Sequence, residues 1–237
     1  MVETAYNAAA EDSSEFDKEN LINNVLYGAT KGLGKLVFKY VNNLKIEGKE
    51  NVPMRGKAIL TTISKNPIRD MVLISQVSGR KIHFMLDPKL MKQQVVGPLL
   101  KRLGMFRSTL SKDDKEPINK VFEILNEKKE LVAMTPEEKL GEETIVKAMA
   151  SIIKFAVAAQ SPIVPVAIYT RTNKALNLIP SSALIVRVGT PLKLDRKLNR
   201  DKYRPKRYKA AEEIVNIIEH LKNEARVGDE QDESTAD

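Results

Sequence analysis

Residues Ala58, Ile59, Leu60, Thr61, Thr62 and Ile63 form an uncharged, largely β-branched run that stops abruptly at Ser64-Lys65-Asn66-Pro67 and restarts as a helical pattern carrying Asp70 in its first turn. Such a run suits a strand packed on both faces, because branched side chains fill a pleated surface covered from either side. The polar turn cannot extend it, and Pro67 suits the entry to a helix. A buried strand that breaks into a turn and then a helix commits the chain to α/β architecture, and the ends of such strands are where α/β proteins place their chemistry.

The rest of the sequence repeats that pattern. LKIEG leads through KENVPMRG into AILTTI, and KIHFML, LVAMT, SPIVPVAIY and ALIVRVGTPLKL read as further strands. Between them lie helical patterns: a segment ending near Gly79, PKLMKQQVVGPLLKRLG with a kink expected at Gly97-Pro98, KEPINKVFEILNEKK, IVKAMASIIKFAVAAQ, and a final helix from about Lys206 to Ala225. Strands separated by helices imply βαβ units and a largely parallel sheet covered on both faces.

The expected organisation is a disordered acidic tail over 1–18, an amphipathic helix or helix pair over 19–44, one α/β domain over 45–225 and a second disordered acidic tail over 226–237. In the 19–44 segment Ile22, Val25, Leu26, Ala29, Leu33, Leu36, Val37, Tyr40 and Val41 recur at helical spacing, with Lys31, Lys35 and Lys39 in a row beside them. Two readings of this segment stay open. It is either a helix packed on the domain core or one lying in a lipid head-group region.

The chain of 237 residues carries a formal charge of +8 although both ends are acidic, so its body is more basic than the average. Anionic partners follow, phospholipid surface or nucleic acid. Aromatics are only 5% and tryptophan is absent, which disfavours a base-stacking surface and favours lipid. Arg196, Lys197, Arg200 and Lys202 lie in a basic stretch that reads either as a solvated loop or as a contact with anionic head groups. There is no cysteine, and His83 and His220 are the two histidines, neither at metal-ligand spacing. His83 sits mid-strand and reads as a packed side chain. No metal or cofactor is expected. With no apolar run near the ~20 residues a bilayer demands and no signal sequence visible, a cytoplasmic, peripheral membrane location is the expectation.

Several blocks in fixed order, IEGKENVPMRGKAIL, FMLDPKLM, VGPLLKRLGMF, INKVFEILNEKKELVAMTPE, SPIVPVAIY and VRVGTPLKL, together resemble the glycerolipid acyltransferase family, which includes 1-acylglycerol-3-phosphate acyltransferases. The resemblance covers roughly Leu44 to Leu194. It implies an α/β domain behind membrane-resting N-terminal helices, an acyl-CoA or acyl carrier protein donor, and a His-x4-Asp pair. In that pair the histidine takes the acceptor hydroxyl's proton and the aspartate orients it. Asp70 matches the aspartate, whereas Lys65 stands at the histidine position and Pro67 where serine is usual. A free lysine titrates near ~10.4, so a lysine acting as base at neutral pH needs that value lowered by about three units. An ion pair between Lys65 and Asp70 is the expected arrangement.

The family's second signature, Phe-Pro-Glu-Gly-Thr-Arg, binds the acceptor phosphate and aligns with Thr135-Pro136-Glu137-Glu138-Lys139-Leu140. Pro136 and Glu137 match; glycine, threonine and arginine do not, and Lys139 lacks arginine's two-pronged fit. A further family arginine falls at Leu110, with Arg107 close enough to replace it. The resemblance therefore implies Asp70 and Lys65 at the catalytic position and Arg107, Pro136, Glu137 and Lys139 at the substrate. The functional expectation is an acyltransferase-like protein of glycerophospholipid metabolism with impaired catalysis, acting as a lipid- or acyl-chain-binding protein or as the subunit of a partner protein. An active acyltransferase and a nucleic-acid-binding protein are the alternatives.

Overall fold

The computed structural model describes residues 44–94, 96–109, 111, 113–172 and 182–234. The helix expected over 19–44, with Lys31, Lys35 and Lys39, lies outside the described residues except for Leu44, as do the tail 1–18 and position 110. Among the described residues one sheet is built from β1 (Leu44–Glu47), β2 (Ala58–Thr61), β3 (Ile82–Leu86), β4 (Phe106–Arg107), β5 (Leu131–Met134), β6 (Ile163–Thr172) and β7 (Ser182–Val188). Their spatial order is β1-β7-β6-β2-β5-β3-β4, parallel at every neighbour except the antiparallel pair β6-β7. The sheet is thus the largely parallel one expected, with β2 in its centre between β5 and β6.

Among the described residues six helices flank it: α1 (Pro67–Ser75), α2 (Pro88–Met91), α3 (Val96–Arg102), α4 (Glu116–Phe122), α5 (Glu142–Ala159) and α6 (Arg204–Ser234). The central strands β2 and β5 are buried on both sides, and alternate residues serve opposite cores. Ala58 and Leu60 of β2 pack with Leu131 and Ala133 of β5 against Met71, Leu73 and Ile74 of α1. Ile59, Val132 and Met134 point the other way, against Val121 of α4, Met149 and Ile153 of α5, and Ile214 and Ile218 of α6. Each fully buried aliphatic contributes about 1.5–3 kcal/mol over an exposed one, which is why these runs read as uninterrupted apolar stretches.

Two boundaries differ from expectation. The segment from Pro88 to Gly104 breaks after Met91 rather than at Gly97-Pro98, because Gly97 lies inside the first turn of α3 and lets the two helices meet. A Cβ there would stand 2.3 Å from the Met91 carbonyl oxygen. At the other end α6 continues past Ala225 to Ser234, through part of the acidic tail expected to be disordered. Elongation of an established helix costs little where Glu, Gln and Arg follow, since only nucleation is expensive.

Candidate functional site

The turn after β2 is organised by Asp70. Asn66 caps α1, accepting a hydrogen bond from the Arg69 amide at 3.2 Å, and Pro67 occupies the first turn, where its missing N–H leaves nothing unsatisfied. This geometry turns the Asp70 side chain inward, where it is 2% exposed. Its Oδ2 accepts from Ser64 Oγ at 2.8 Å and from the amides of Lys65 and Asn66 at 3.0 and 3.2 Å. Its Oδ1 accepts from Arg69 Nε at 2.9 Å, with Arg69 Nη2 at 2.8 Å. The carboxylate therefore closes the turn: it satisfies amides at the start of the helix and places negative charge where the helix dipole favours it.

The expected Lys65–Asp70 ion pair does not form. Lys65 gives Asp70 its backbone amide, while its ammonium projects away and meets Glu138 Oε1 at 3.4 Å. Arg69 takes the place at the Asp70 carboxylate, because the inward-facing aspartate is reached by the neighbouring guanidinium folding over the helix end. Lys65 is 56% exposed and paired with a carboxylate. That is the opposite of the dry or cation-lined surroundings that make a lysine a base.

Glu138 is present because the fold brings the second motif alongside the first. β2 and β5 are parallel neighbours, so the turns leaving them meet: Ser64 N donates to Pro136 O at 2.8 Å, and Glu138 N donates to Ser64 O at 2.8 Å. Lys65, Asp70, Pro136 and Glu137 are thereby gathered at one end of the sheet. Lys139 is there too, but its ammonium is 2.6 Å from Glu137 Oε2, and that hydrogen bond holds the lysine above its ordinary value. Two ion pairs, Lys65–Glu138 and Lys139–Glu137, therefore lie at this end of the sheet.

Arg107 stands apart from this cluster. It lies on β4 at the edge of the sheet, two strands beyond β5, where Asp114 and Glu116 hold its guanidinium. Hydrogen bonding to Asp114 is the largest of the influences raising it above the ordinary arginine value. His83 is not a substitute base either. The ring is 4% exposed, with Nδ1 2.7 Å from the Gly104 carbonyl oxygen and Nε2 2.5 Å from Glu130 Oε2. It faces Val132 in the register of β3 and β5, below the strand ends. The hydrogen bond from His83 holds the Glu130 carboxyl below its ordinary value against the opposing effect of burial, with Lys81 and Lys128 adding to the lowering. His220 is exposed on α6 and 3.3 Å from Glu224. Among the described residues no three histidine or acidic side chains are gathered as a metal site requires.

A groove opens beside the paired motifs. About 300 Å³ in volume, it runs between the ends of β3 and β5 (Met85, Leu86, Met134), the turn residues Thr135, Pro136 and Glu137, and the α5 face bearing Ala148, Ser151, Ile152 and Phe155. A second trough of about 530 Å³ shares Thr109, Ser151 and Phe155 with it and carries on past Phe122 and Ala158 to Asn199. From Ala148 to Ala158 the helix rises ~15 Å. Most of this lining is apolar. Sequence reading missed the groove, as it missed Ser64 and Arg69; the α5 spacing 148, 151, 152, 155 was the available signal, but it is also that of an ordinary packed helix face.

A largely parallel sheet carries the aspartate-centred turn after β2 and the Pro-Glu turn after β5 side by side, the arrangement that the resemblance in sequence implies. Residues 43–169 match the family model described as Acyltransferase, and the chain belongs to that family. Its fold is similar to that of the 1-acyl-sn-glycerophosphate acyltransferase PlsC from Thermotoga maritima, at 17% identity and a TM-score of 0.56, over 84% of this chain and 81% of that one. No curated protein matches the sequence. No helix among the described residues is long and apolar enough to cross a membrane.

Proposed function

We propose that this chain works at a phospholipid surface as an acyltransferase-fold protein that holds a lipid or acyl chain, alone or as the subunit of a partner protein, and has lost efficient acyl transfer. The observation that carries the reading is the Lys65–Glu138 ion pair: the position the family gives to the base holds an exposed ammonium already matched with a carboxylate. An ammonium has no lone pair with which to take the acceptor hydroxyl's proton. The Lys139–Glu137 pair supports the same reading, since a phosphate approaching that turn meets two acidic side chains. The groove along α5 supports retention of a chain-binding role, its apolar wall being long enough for a fatty acyl segment. The membrane part of the reading rests on the lysine-flanked apolar stripe of 19–44 and on the exposed Arg196, Lys197, Arg200 and Lys202.

The test combines turnover and binding. Acyl transfer is measured with lysophosphatidate and acyl-CoA or acyl carrier protein as donor, and saturable binding of a fluorescent fatty acid is measured on the same preparation. Binding without turnover is the expected result, and Lys65→His alone leaves turnover absent because the phosphate motif remains closed by its ion pairs. The second reading, an active acyltransferase, is favoured by the intact hydrogen-bond shell of Asp70. Turnover abolished by Lys65→Ala would establish it in place of the first.

A further inference from the structure

The end of the sheet opposite the paired motifs, where β2, β3 and β5 begin and β1 finishes, is crowded with cations. Arg80 ties two of its turns together: Nη1 donates to the Pro53 carbonyl at 2.8 Å and Nη2 to the Lys129 carbonyl at 2.7 Å. Lys129 is held at φ 55°, in the left-handed region that a residue with a Cβ rarely adopts. Met54 and Arg55 of one turn and Lys128 and Lys129 of the other are exposed on these linked turns. Lys57, Lys81 and Lys120 lie around them. Burial holds Lys57 below its ordinary value, and Lys129 adds to the lowering. Burial also lowers Lys81, against the pull of Glu130 and with a push from Lys128 and Lys120. These cations therefore repel one another. Glu123, Glu127 and Glu130 are the acids beside them, and Glu123 is already shared by Lys120 and Lys128 at 2.9 Å each. A surplus of positive charge remains. Within it stands Met54, 90% exposed, the most exposed large apolar side chain among the described residues.

The chain carries the complement itself. Helix α6 reaches this same end of the sheet: a Cβ at Gly189, just past β7, would stand 2.8 Å from Leu221 Cδ1, and Glu224 accepts from Arg187 Nη1 at 2.9 Å. Ala225 is buried, Arg226 and Val227 are exposed, and the helix runs on to Ser234. From Ala225 to Ser234 it rises ~13 Å. That extension carries Asp229, Glu230, Asp232 and Glu233 in sequence, and Val227, 44% exposed, is an apolar side chain at its base. Its own cations are not beneath it. The helix leaves beside β7 and β1, whereas the cations lie at the starts of β2, β5 and β3, two to four strands away, or ~10–19 Å at the spacing of paired strands. No turn follows that would bring the acids back, because the helix is continuous to Ser234.

We propose that two copies of this chain pair end to end about a two-fold axis, the acidic extension of α6 in each docking on the surface formed by Met54, Arg55, Lys57, Lys128 and Lys129 of the other. The contact is self-complementary, since one two-fold operation makes both ionic contacts at once. Val227 and the adaptable Met54 side chain give each contact apolar surface, while the charges set the register and speed the encounter. Arg80 holds the docking turns in place beforehand, so little ordering accompanies the pairing. The opposite strand ends, with the turn bearing Asp70, stay uncovered in both copies. The pairing stands whether or not that end turns over a substrate.

The test is the oligomeric state of the full chain, measured by sedimentation velocity in sodium chloride at about 50 mM and about 0.5 M. A dimer is expected at low salt, its dissociation constant raised at least about tenfold at high salt. A chain that stays monomeric at low salt up to about 0.1 mM protein, or a dimer indifferent to salt, overturns the proposal. Two charge reversals locate the contact. Arg55→Glu with Lys129→Glu makes the docking surface acidic, and Asp232→Lys with Glu233→Lys makes the extension basic. Each variant alone, confirmed as folded, is expected to be monomeric, because like charges then meet at both contacts. Mixed in equal amounts, the two variants are expected to form a heterodimer, because opposite charges meet again at both. A dimer that survives either reversal places self-association on another surface and refutes the pairing, as does a mixture that stays monomeric.

Discussion

Asp70→Ala tests whether the first motif is held by its structure independently of any reaction. The substitution leaves Ser64 Oγ buried without its acceptor, which costs about 1–3 kcal/mol. It also strips the amides of Lys65 and Asn66 and removes a negative charge from the start of α1. Those amides lie beside exposed side chains that water reaches, so their loss adds about 1 kcal/mol together, and the helix-end charge adds about 0.5–1 kcal/mol. Arg69 is more than a quarter exposed and rehydrates, so its share is small. The total is about 3–5 kcal/mol, or a fall in Tm on the order of 10 °C for a chain of this length. Asp70→Asn keeps an acceptor oxygen and is expected to cost about half as much. Urea unfolding followed by circular dichroism measures both. A loss below about 0.5 kcal/mol for Asp70→Ala would refute the assignment of Asp70 as the keystone of this turn.

Glu130 gives a pH signature. Its carboxyl is held below its ordinary value of 4.5 chiefly by the hydrogen bond from His83. The stability it contributes is present above pH 4.5 and is lost as pH falls through the lower folded-state value, so Glu130→Gln flattens the acid limb of a stability–pH curve. An unchanged limb contradicts the pairing. Gly97→Ala drives a Cβ to within 2.3 Å of the Met91 carbonyl and is expected to destabilise by about 1–3 kcal/mol, whereas Gly79→Ala, which meets nothing within 4 Å, is neutral in the same melts. Ser151→Trp places an indole in the trough shared by both grooves and is expected to reduce fatty-acid binding at least about tenfold with Tm unchanged; equal binding removes the groove from the account.

Much of the fold was legible because burial on two faces leaves a mark in sequence: Ala58–Thr61 and Leu131–Met134 carry no polar alternation, and both are strands. The kinship of the two motifs was legible through their order. Their ion pairing was not, because a spacing of five residues makes Asp70 the obvious partner of Lys65, while Glu138 becomes a neighbour only when β2 and β5 align. Likewise Arg107 looked free to meet a phosphate until Asp114 and Glu116 folded onto it.

The central claim, that Lys65 and Glu138 have closed the catalytic position, is tested most directly by a single measurement. Acyl transfer from labelled acyl-CoA or acyl carrier protein to lysophosphatidate is followed for the wild-type chain and for Lys65→Ala, each confirmed as folded. The account predicts turnover at the level of a protein-free blank for both. Wild-type turnover well above the blank and lost in Lys65→Ala would contradict it.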